Sequence, residues 1–492
     1  MKRLLCLLAV LTAAATSPAA QPNIVFFLVD DMGWQDTSVP FHTGTTELNR
    51  RYRTPNMEKL AAGGVKFTQA YASAVCSPSR VSALTGMNAA RHNVTNWTLR
   101  KDVSPDPADK RVQPPAWNVN GVCMDAGVAG TMKVTPLPAL LREAGYRTIH
   151  AGKAHFGAVS TPGENPLNLG FDVNIAGHAA GGPGSFWGEK NYSAAWRSPE
   201  RIWDVPGLEK YHGTDTYLTE AITIEAIAAV EKAVADRKPF YLYLSHYAVH
   251  APFEKDPRFY QKYKDAGLKE HEAVYASMIE GMDKSLGDVM AALQRLGVDG
   301  NTVIVFMSDN GSPQENPRNL PLRGHKLRPY EGGTRVPLLA KVPGVTAAAA
   351  VCPAPVIIED IFPTLLELAG VTWAGRAEQK VDGVSFLPLL KGAGSDPARP
   401  FVWHFPHTYG QTPFSAIRVG DWKLIHHHVT GKLELFNLAN DIGEAKDLSA
   451  SEPEKTRTLA AELTRLLKER GALMPVDKTT GKVFAMADDG GD

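Results

Sequence analysis

The chain is predicted to be an α/β protein: a large, helix-flanked, mostly parallel sheet followed by a smaller C-terminal α+β unit. Three observations predict this. Short apolar runs without polar alternation recur along most of the sequence and end in polar clusters. Such runs suit strands buried on both faces, as in a parallel sheet covered by helices. Between them lie longer segments with apolar residues at helical spacing, the alternation of a layered α/β protein. Past about residue 392 the runs become short and are joined by tight turns such as Val419-Gly420-Asp421, which suits a small antiparallel sheet.

The elements follow in order. Residues 23–29 form the first buried strand and lead into Asp30-Asp31. Thr54-Pro55 starts a helix running toward Leu60, with proline in the first turn. Pro78 and Val81-Ser82-Ala83-Leu84 suggest a helix starting just after Cys76. Runs 146–151, 239–245 and 302–308 are further strands, leading into Gly152-Lys153, toward His250, and into Asp309-Asn310-Gly311. Residues 215–235 and 271–296 have helical spacing. Segments 401–403, 415–418, 422–425 and 433–436 make the small sheet, residues 452–470 a closing helix, and the tail after Pro475 frays. The chain therefore divides into 1–20, 21–392 and 393–492. In open α/β sheets, sites gather beyond the carboxyl ends of the strands. That is where these polar clusters fall.

Composition excludes several classes. The 492 residues are 44% hydrophobic and 21% charged, which is average for a soluble globular protein and rules out fibrous, disordered and multispanning membrane chains. A formal net charge of zero gives no general attraction to nucleic acid. Any bound anion must be held by local charges. Lys2 and Arg3, an apolar run over 4–15 and Ser17-Pro18-Ala19-Ala20 read as a secretory signal cleaved near Ala20, so the mature protein is expected to be exported. No later stretch is apolar enough to span a bilayer. Of the cysteines that remain, Cys76, Cys123 and Cys352, at least one is unpaired; Cys123 and Cys352 could bond.

Chemistry concentrates at a few places. A residue at a helix start meets unpaired N–H groups and the positive end of the dipole, so Cys76-Ser77-Pro78-Ser79-Arg80 offers an anion site with a candidate nucleophile in Cys76 and a permanent charge in Arg80. Asp30, Asp31, Asp309 and Asn310 supply hard oxygen donors at two strand ends, suited to Ca2+ or Mg2+ and not to Zn2+; Asp36 is a weaker extra candidate. Lys153 and His155, two apart, project to one face if the strand continues. For the substrate, His178, Trp187 and Trp196 and the ring-rich segment 403–409, with His404 and His407, suit sugar faces and hydroxyls. The run His426-His427-His428 reads as exposed on an edge strand.

The Cys76-x-Pro78-x-Arg80 motif followed by Ser82-Ala83-Leu84-Thr85-Gly86 resembles the signature of the type I sulfatases of the alkaline phosphatase superfamily. The likeness extends along almost the whole mature chain. Residues 151–157 (Ala-Gly-Lys-Ala-His-Phe-Gly), 248–252 (Ala-Val-His-Ala-Pro), 308–311 (Ser-Asp-Asn-Gly), the block from Leu322-Arg323-Gly324-His325-Lys326 to Tyr330-Glu331-Gly332-Gly333-Thr334-Arg335, and Gly420-Asp421-Trp422-Lys423 with Asn440-Asp441 resemble its segments in order. Ala154 and Phe156 depart from the Trp and Leu usual there.

The resemblance implies an alkaline-phosphatase-like sheet and a divalent cation, usually Ca2+, held by Asp30, Asp31, Asp309 and Asn310 together with Cys76. It implies conversion of Cys76 to formylglycine by a dedicated maturation enzyme. The hydrated aldehyde then attacks sulfur, His250 with Lys326 protonates the leaving alcohol, and His155 drives release of sulfate, with Arg80 and Lys153 as further catalytic residues. The expected substrate is a sulfated carbohydrate. A phosphodiester or phosphonate monoester hydrolase, or a silent sulfated-glycan binding protein if Cys76 is not matured, are the alternatives.

Overall fold

The computed structural model of the chain describes residues 21–313 and 318–489. The expected secretory signal lies outside the described residues. The large sheet has nine strands. They are β1 (Asn23–Val29), β2 (Val65–Tyr71), β3 (Arg147–Gly152), β4 (Val173–Ile175), β5 (Phe240–Ser245), β6 (Thr302–Ser308), β7 (Arg335–Lys341), β8 (Ala350–Cys352) and β9 (Val356–Ile357). The order is β8-β2-β7-β6-β1-β5-β3-β4, with β9 also on β2. Pairing is parallel except for β7, which runs antiparallel to both β2 and β6.

The central strand shows why the runs lack polar alternation. Along β1, Val25, Phe27 and Val29 enter one core while Ile24, Phe26 and Leu28 enter the other. Helices α1 (Leu218–Ala235) and α2 (Glu270–Arg295) cover the first face, and α3 (Ile361–Leu368) helps cover the second. At about 25 cal/mol per Å2, two buried faces supply most of the drive for folding this layer.

The smaller sheet is an antiparallel meander of β10 (Pro400–Phe405), β11 (Phe414–Val419), β12 (Trp422–His427) and β13 (Lys432–Asn437). One face packs Trp403, Phe405 and Phe414 against Tyr71, Val75 and Cys76, and the other packs Ile417, Leu424 and Leu435 under the closing helix α4 (Pro453–Arg470). The histidine run is not on an edge. β12 lies between β11 and β13, and His426 and His428 are buried. The tail past Pro475 does not fray within the described residues: Val476–Asp477 pairs with Val112–Gln113 and with Lys482–Val483. Cys76, Cys123 and Cys352 are all free thiols. Among the described residues no helix is long and apolar enough to cross a membrane.

Candidate active site

The acidic cluster follows from strand register. β1 and β6 run parallel, with Val29 opposite Ser308, so the residues that follow them are neighbours. The Asp31 N–H donates to Asp309 Oδ1 at 3.2 Å, and Asn310 Nδ2 donates to Asp31 Oδ1 at 2.8 Å. Asp31 sits in the left-handed region at φ 61°, which turns the chain back over the strand end. Cys76 is the first residue of a ten-residue helix that ends at Thr85, and Gly86 closes it with φ 70°. Ligand atoms of Asp30, Asp31 and Cys76 all lie within 4.8 Å of one another.

Each carboxylate has its cation. Lys153 Nζ meets Asp30 Oδ2 at 2.6 Å, Lys326 Nζ meets Asp31 Oδ1 at 2.7 Å, and Arg80 Nη2 meets Asp309 Oδ2 at 2.7 Å. Arg80 also donates to the Lys153 carbonyl at 3.0 Å. Arg80 and Lys153 are fully buried, and Arg80 directs its charge to Asp309 and positions that carboxylate. The cluster keeps two buried oxygens without a hydrogen-bond donor, Asp30 Oδ1 and Asn310 Oδ1. Burial holds the Asp30 carboxyl well above its ordinary range even with Lys153 beside it, and Asp309 and Asp31 push the same way. Three carboxylates and an amide oxygen, two of these atoms unsatisfied, fit a hard divalent cation such as Ca2+ or Mg2+.

The histidines do not come from a continued strand. β3 ends at Gly152, and His155 has φ 59°. Its Nε2 lies 2.8 Å from the Thr98 carbonyl, which can only accept, so the proton is on Nε2 and Nδ1 keeps a free lone pair. Burial, then Lys153 and Arg80, hold His155 well below its ordinary pKa. His250 donates Nδ1–H to the Ala251 carbonyl at 2.8 Å and turns Nε2 toward Asp31 Oδ2, 3.8 Å away. Burial, then Lys326, lower its pKa to about 4, with Asp31 opposing. Burial also pushes the Cys76 thiol up to about 11, outweighing Lys153 and Lys326. A helix start alone therefore does not ready the Cys76 thiol, because desolvation exceeds the help from the two ammonium groups.

Comparison with known proteins decides the family. The sulfatase profile matches residues 22–371, and the C-terminal profile of N-sulphoglucosamine sulphohydrolase matches 325–472. The chain belongs to the sulfatase family. Within it, this sulfatase is 31% identical over 465 residues to N-acetylgalactosamine-6-sulfatase of Mus musculus, covering 91% of this chain and 80% of that one. It is 29% identical over 504 residues to a sulfatase of Formosa agariphila, covering 91% and 88%. Among solved structures it resembles Ps i-CgsB, crystallised with k-i-k-neocarrahexaose, at a TM-score of 0.74 and 26% identity over 92% of this chain and 95% of that one.

The sulfatase site opens into a cavity of about 450 Å3. Cys76, Asp31, His155, His250 and Lys326 line it. Its walls are aromatic: Trp97, Trp203, Phe253 and Tyr409. Trp97 and Tyr409 meet edge to face with centroids 5.4 Å apart. Of the expected sugar contacts, His404 and His407 do not line this cavity and are corrected. His404 Nδ1 pairs with Ser415 Oγ at 2.8 Å and its Nε2 with the Leu473 carbonyl at 3.1 Å. His407 lies between Thr95 Oγ1 at 2.8 Å and Asp106 Oδ2 at 2.7 Å. Alternation along β10 turns His404 to the sheet face opposite Trp403 and Phe405, while His407, in the turn after the strand, packs against Trp117. His178 packs beside Tyr247, and its backbone carbonyl accepts from the His155 N–H at 3.3 Å, so it too lies outside the lining. Sequence reading missed Trp97, Trp203 and Phe253. Trp97 and Phe253 sit on loops and Trp203 ends a short 3-10 helix, far apart in sequence, where no spacing marks them.

Proposed function

We propose that this sulfatase is an exported sulfohydrolase that removes a sulfate ester from a carbohydrate, using Cys76 matured to formylglycine and a divalent cation, Ca2+ or Mg2+, on Asp30, Asp31, Asp309 and Asn310. The observation that carries the reading is the convergence of residue 76, the paired carboxylates, Lys326 and two neutral histidines on one aromatic-walled cavity. The cation would supply positive charge against the sulfate oxygens and the acidic cluster, and the aldehyde a hydrated oxygen nucleophile in place of a thiol held near 11.

The chain's own residues divide the remaining work. Lys326, partly exposed at 14% and held by Asp31, faces the cavity and can bind a sulfate oxygen. His155 presents the Nδ1 lone pair, its ring fixed by Thr98, and is the base that takes a proton from residue 76 when sulfate leaves. His250 stands on the other side of the cluster with Nε2 toward Asp31. An anionic ester beside it opposes the lowering by burial, so His250 can carry the proton that the leaving alcohol needs. Arg80 and Lys153 hold the carboxylates of Asp309 and Asp30 in place. The mouse relative is named for N-acetylgalactosamine 6-sulfate, which makes that sugar the first substrate to offer.

The deciding experiment is peptide mass across residue 76 together with turnover. The wild type should carry an aldehyde in place of CH2–SH and release sulfate. Cys76→Ala should fold normally and lose activity by several orders of magnitude, as removal of a covalent nucleophile does. Substantial sulfate release by Cys76→Ala, or an unmodified cysteine in an active preparation, would overturn the mechanism. Faster cleavage of an aryl phosphodiester than of an aryl sulfate would favour the phosphoester reading instead.

A further inference from the structure

We infer that Trp196, Arg197 and Trp203 form a second saccharide subsite at the rim of the cavity, one that takes a sugar carrying a carboxylate or sulfate next to the sugar being desulfated. The inference rests on the sulfohydrolase reading for its position, and on separate observations for its chemistry.

The rim is built on the loop that roofs the catalytic histidines. A Cβ added at Gly181 would come within 2.4 Å of the His155 ring, and one at Gly182 within 2.9 Å of His250 Nδ1. The loop is therefore seated directly on both rings. It continues through Pro183 and Gly184, whose carbonyls accept from Arg197 at 3.1 and 3.4 Å, and Gly184 also accepts from Trp196 Nε1 at 3.1 Å. Past this turn, Trp203 comes back to line the cavity with Cys76.

The Arg197 guanidinium stands between the two indoles, 5.8 Å from the Trp196 centroid and 5.9 Å from that of Trp203. Trp196 is 51% exposed. Lys190 covers one side of Trp196 at 4.4 Å but is neutralised by Glu254 at 2.6 Å. Arg197 has no ion pair among the described residues. Its donors meet only neutral carbonyls, so its charge faces outward uncompensated.

The cavity itself offers no such charge. Among the described residues, Lys326 is the single lysine or arginine in its lining, and it is engaged with Asp31. A second anionic group on the substrate thus finds its partner one ring beyond Trp203. A planar guanidinium can meet a carboxylate or sulfate with two parallel hydrogen bonds, and the flanking indoles can stack on sugar C–H faces.

The test uses N-acetylgalactosamine 6-sulfate and a tetrasaccharide with that sugar at its non-reducing end beside a uronate. Binding is measured by calorimetry on the Cys76→Ala protein, and turnover on the matured enzyme. Arg197→Ala and Trp203→Ala should each weaken tetrasaccharide binding by about ten- to a hundred-fold and raise its KM. Monosaccharide kinetics of Arg197→Ala should stay within about twofold, and Arg197→Lys should recover part of the loss. Reducing the uronate to an alcohol should weaken binding to the parent but not to Arg197→Ala. Equal effects of Arg197→Ala on both saccharides, no effect of Arg197→Ala, or no tetrasaccharide binding would each overturn the subsite. Arg197-dependent binding without turnover of either saccharide would keep the subsite and sink the sulfohydrolase reading.

Discussion

Asp309 shows how closely charge and fold are linked at single positions. Its Oδ2 accepts from Arg80 Nε at 2.9 Å, its Oδ1 accepts from the Asp31 N–H, and both side chains of the Arg80 pair are fully buried. Removing the carboxylate leaves a guanidinium with no full counter-charge nearer than Asp30, 3.8 Å away. Breaking a buried pair in this way costs about 3–5 kcal/mol. Asp309→Ala should therefore lose both bound Ca2+ or Mg2+, measured by elemental analysis, and thermal stability, measured by calorimetry. A stoichiometric cation retained in that variant would mean the ligands are elsewhere. His404 gives the complementary case. It bonds to Ser415 and Leu473 inside the small sheet. His404→Ala should lower the melting temperature while leaving the ratio of saccharide to aryl-sulfate turnover unchanged. A selective loss on saccharides would return His404 to the substrate.

At the scale of elements, the two sheets are clamped by a buried charged hub. Lys423 on β12 reaches Glu331 Oε1 and Glu444 Oε1, each at 2.9 Å. Glu331 also accepts from Tyr71 of β2 at 2.7 Å and pairs with Arg335 at 3.2 Å. Lys423→Ala leaves two carboxylates buried together, so it should destabilise by about 3–5 kcal/mol in urea unfolding. Wild-type stability in that variant would show that the hub relaxes. Lys423, Glu331 and Arg335 belong to motifs already visible in the sequence, whereas Tyr71 and Glu444 do not, and the clamping role was not legible because a motif gives residue identity and not contact partners. The same limit explains which elements were legible. β1 and β6 were read to the residue, since uninterrupted apolar runs dictate strands buried on both faces. β2 and β7 were missed: Lys66, Thr68 and Gln69 interrupt the first, and Arg335 opens the second among glycines. The edge assignment of 426–428 failed because edge or interior is decided by β13, a long-range pairing that local alternation does not encode.

For the whole molecule, buried titratable groups set an acid limit. Burial lowers His92, His150 and His246 to about 3 and His404 and His426 to about 4. In the unfolded chain each titrates near 6.5. A depressed histidine contributes stability that is present above 6.5 and is lost as pH falls below it, because only the unfolded chain takes up the proton. Away from the acidic cluster and the Lys423 hub, two buried carboxyls act oppositely. Burial raises Asp283 to about 6 and Glu359 to about 7. Their contribution is full below the unfolded carboxyl range and is lost as pH rises through 6 and 7. Near pH 5.5 the five histidines outweigh the two carboxyls by roughly three protons, and each proton is worth about 1.4 kcal/mol per pH unit. Stability should therefore fall steeply from pH 6.5 to pH 5, as urea titrations at each pH would measure. A flat profile over that interval would mean that the histidines are hydrated and titrate in the native state. Glu359 provides an internal control. Its Oε1 accepts from Asn88 Nδ2, a contact an amide oxygen can keep, while Oε2 is buried without a donor. Glu359→Gln removes the ionisation but not that hydrogen bond. It should stabilise the protein by roughly 2–3 kcal/mol at pH 8 and leave it nearly unchanged at pH 4.5. Equal shifts at both pH values would assign the effect to packing around the new amide and not to the buried charge.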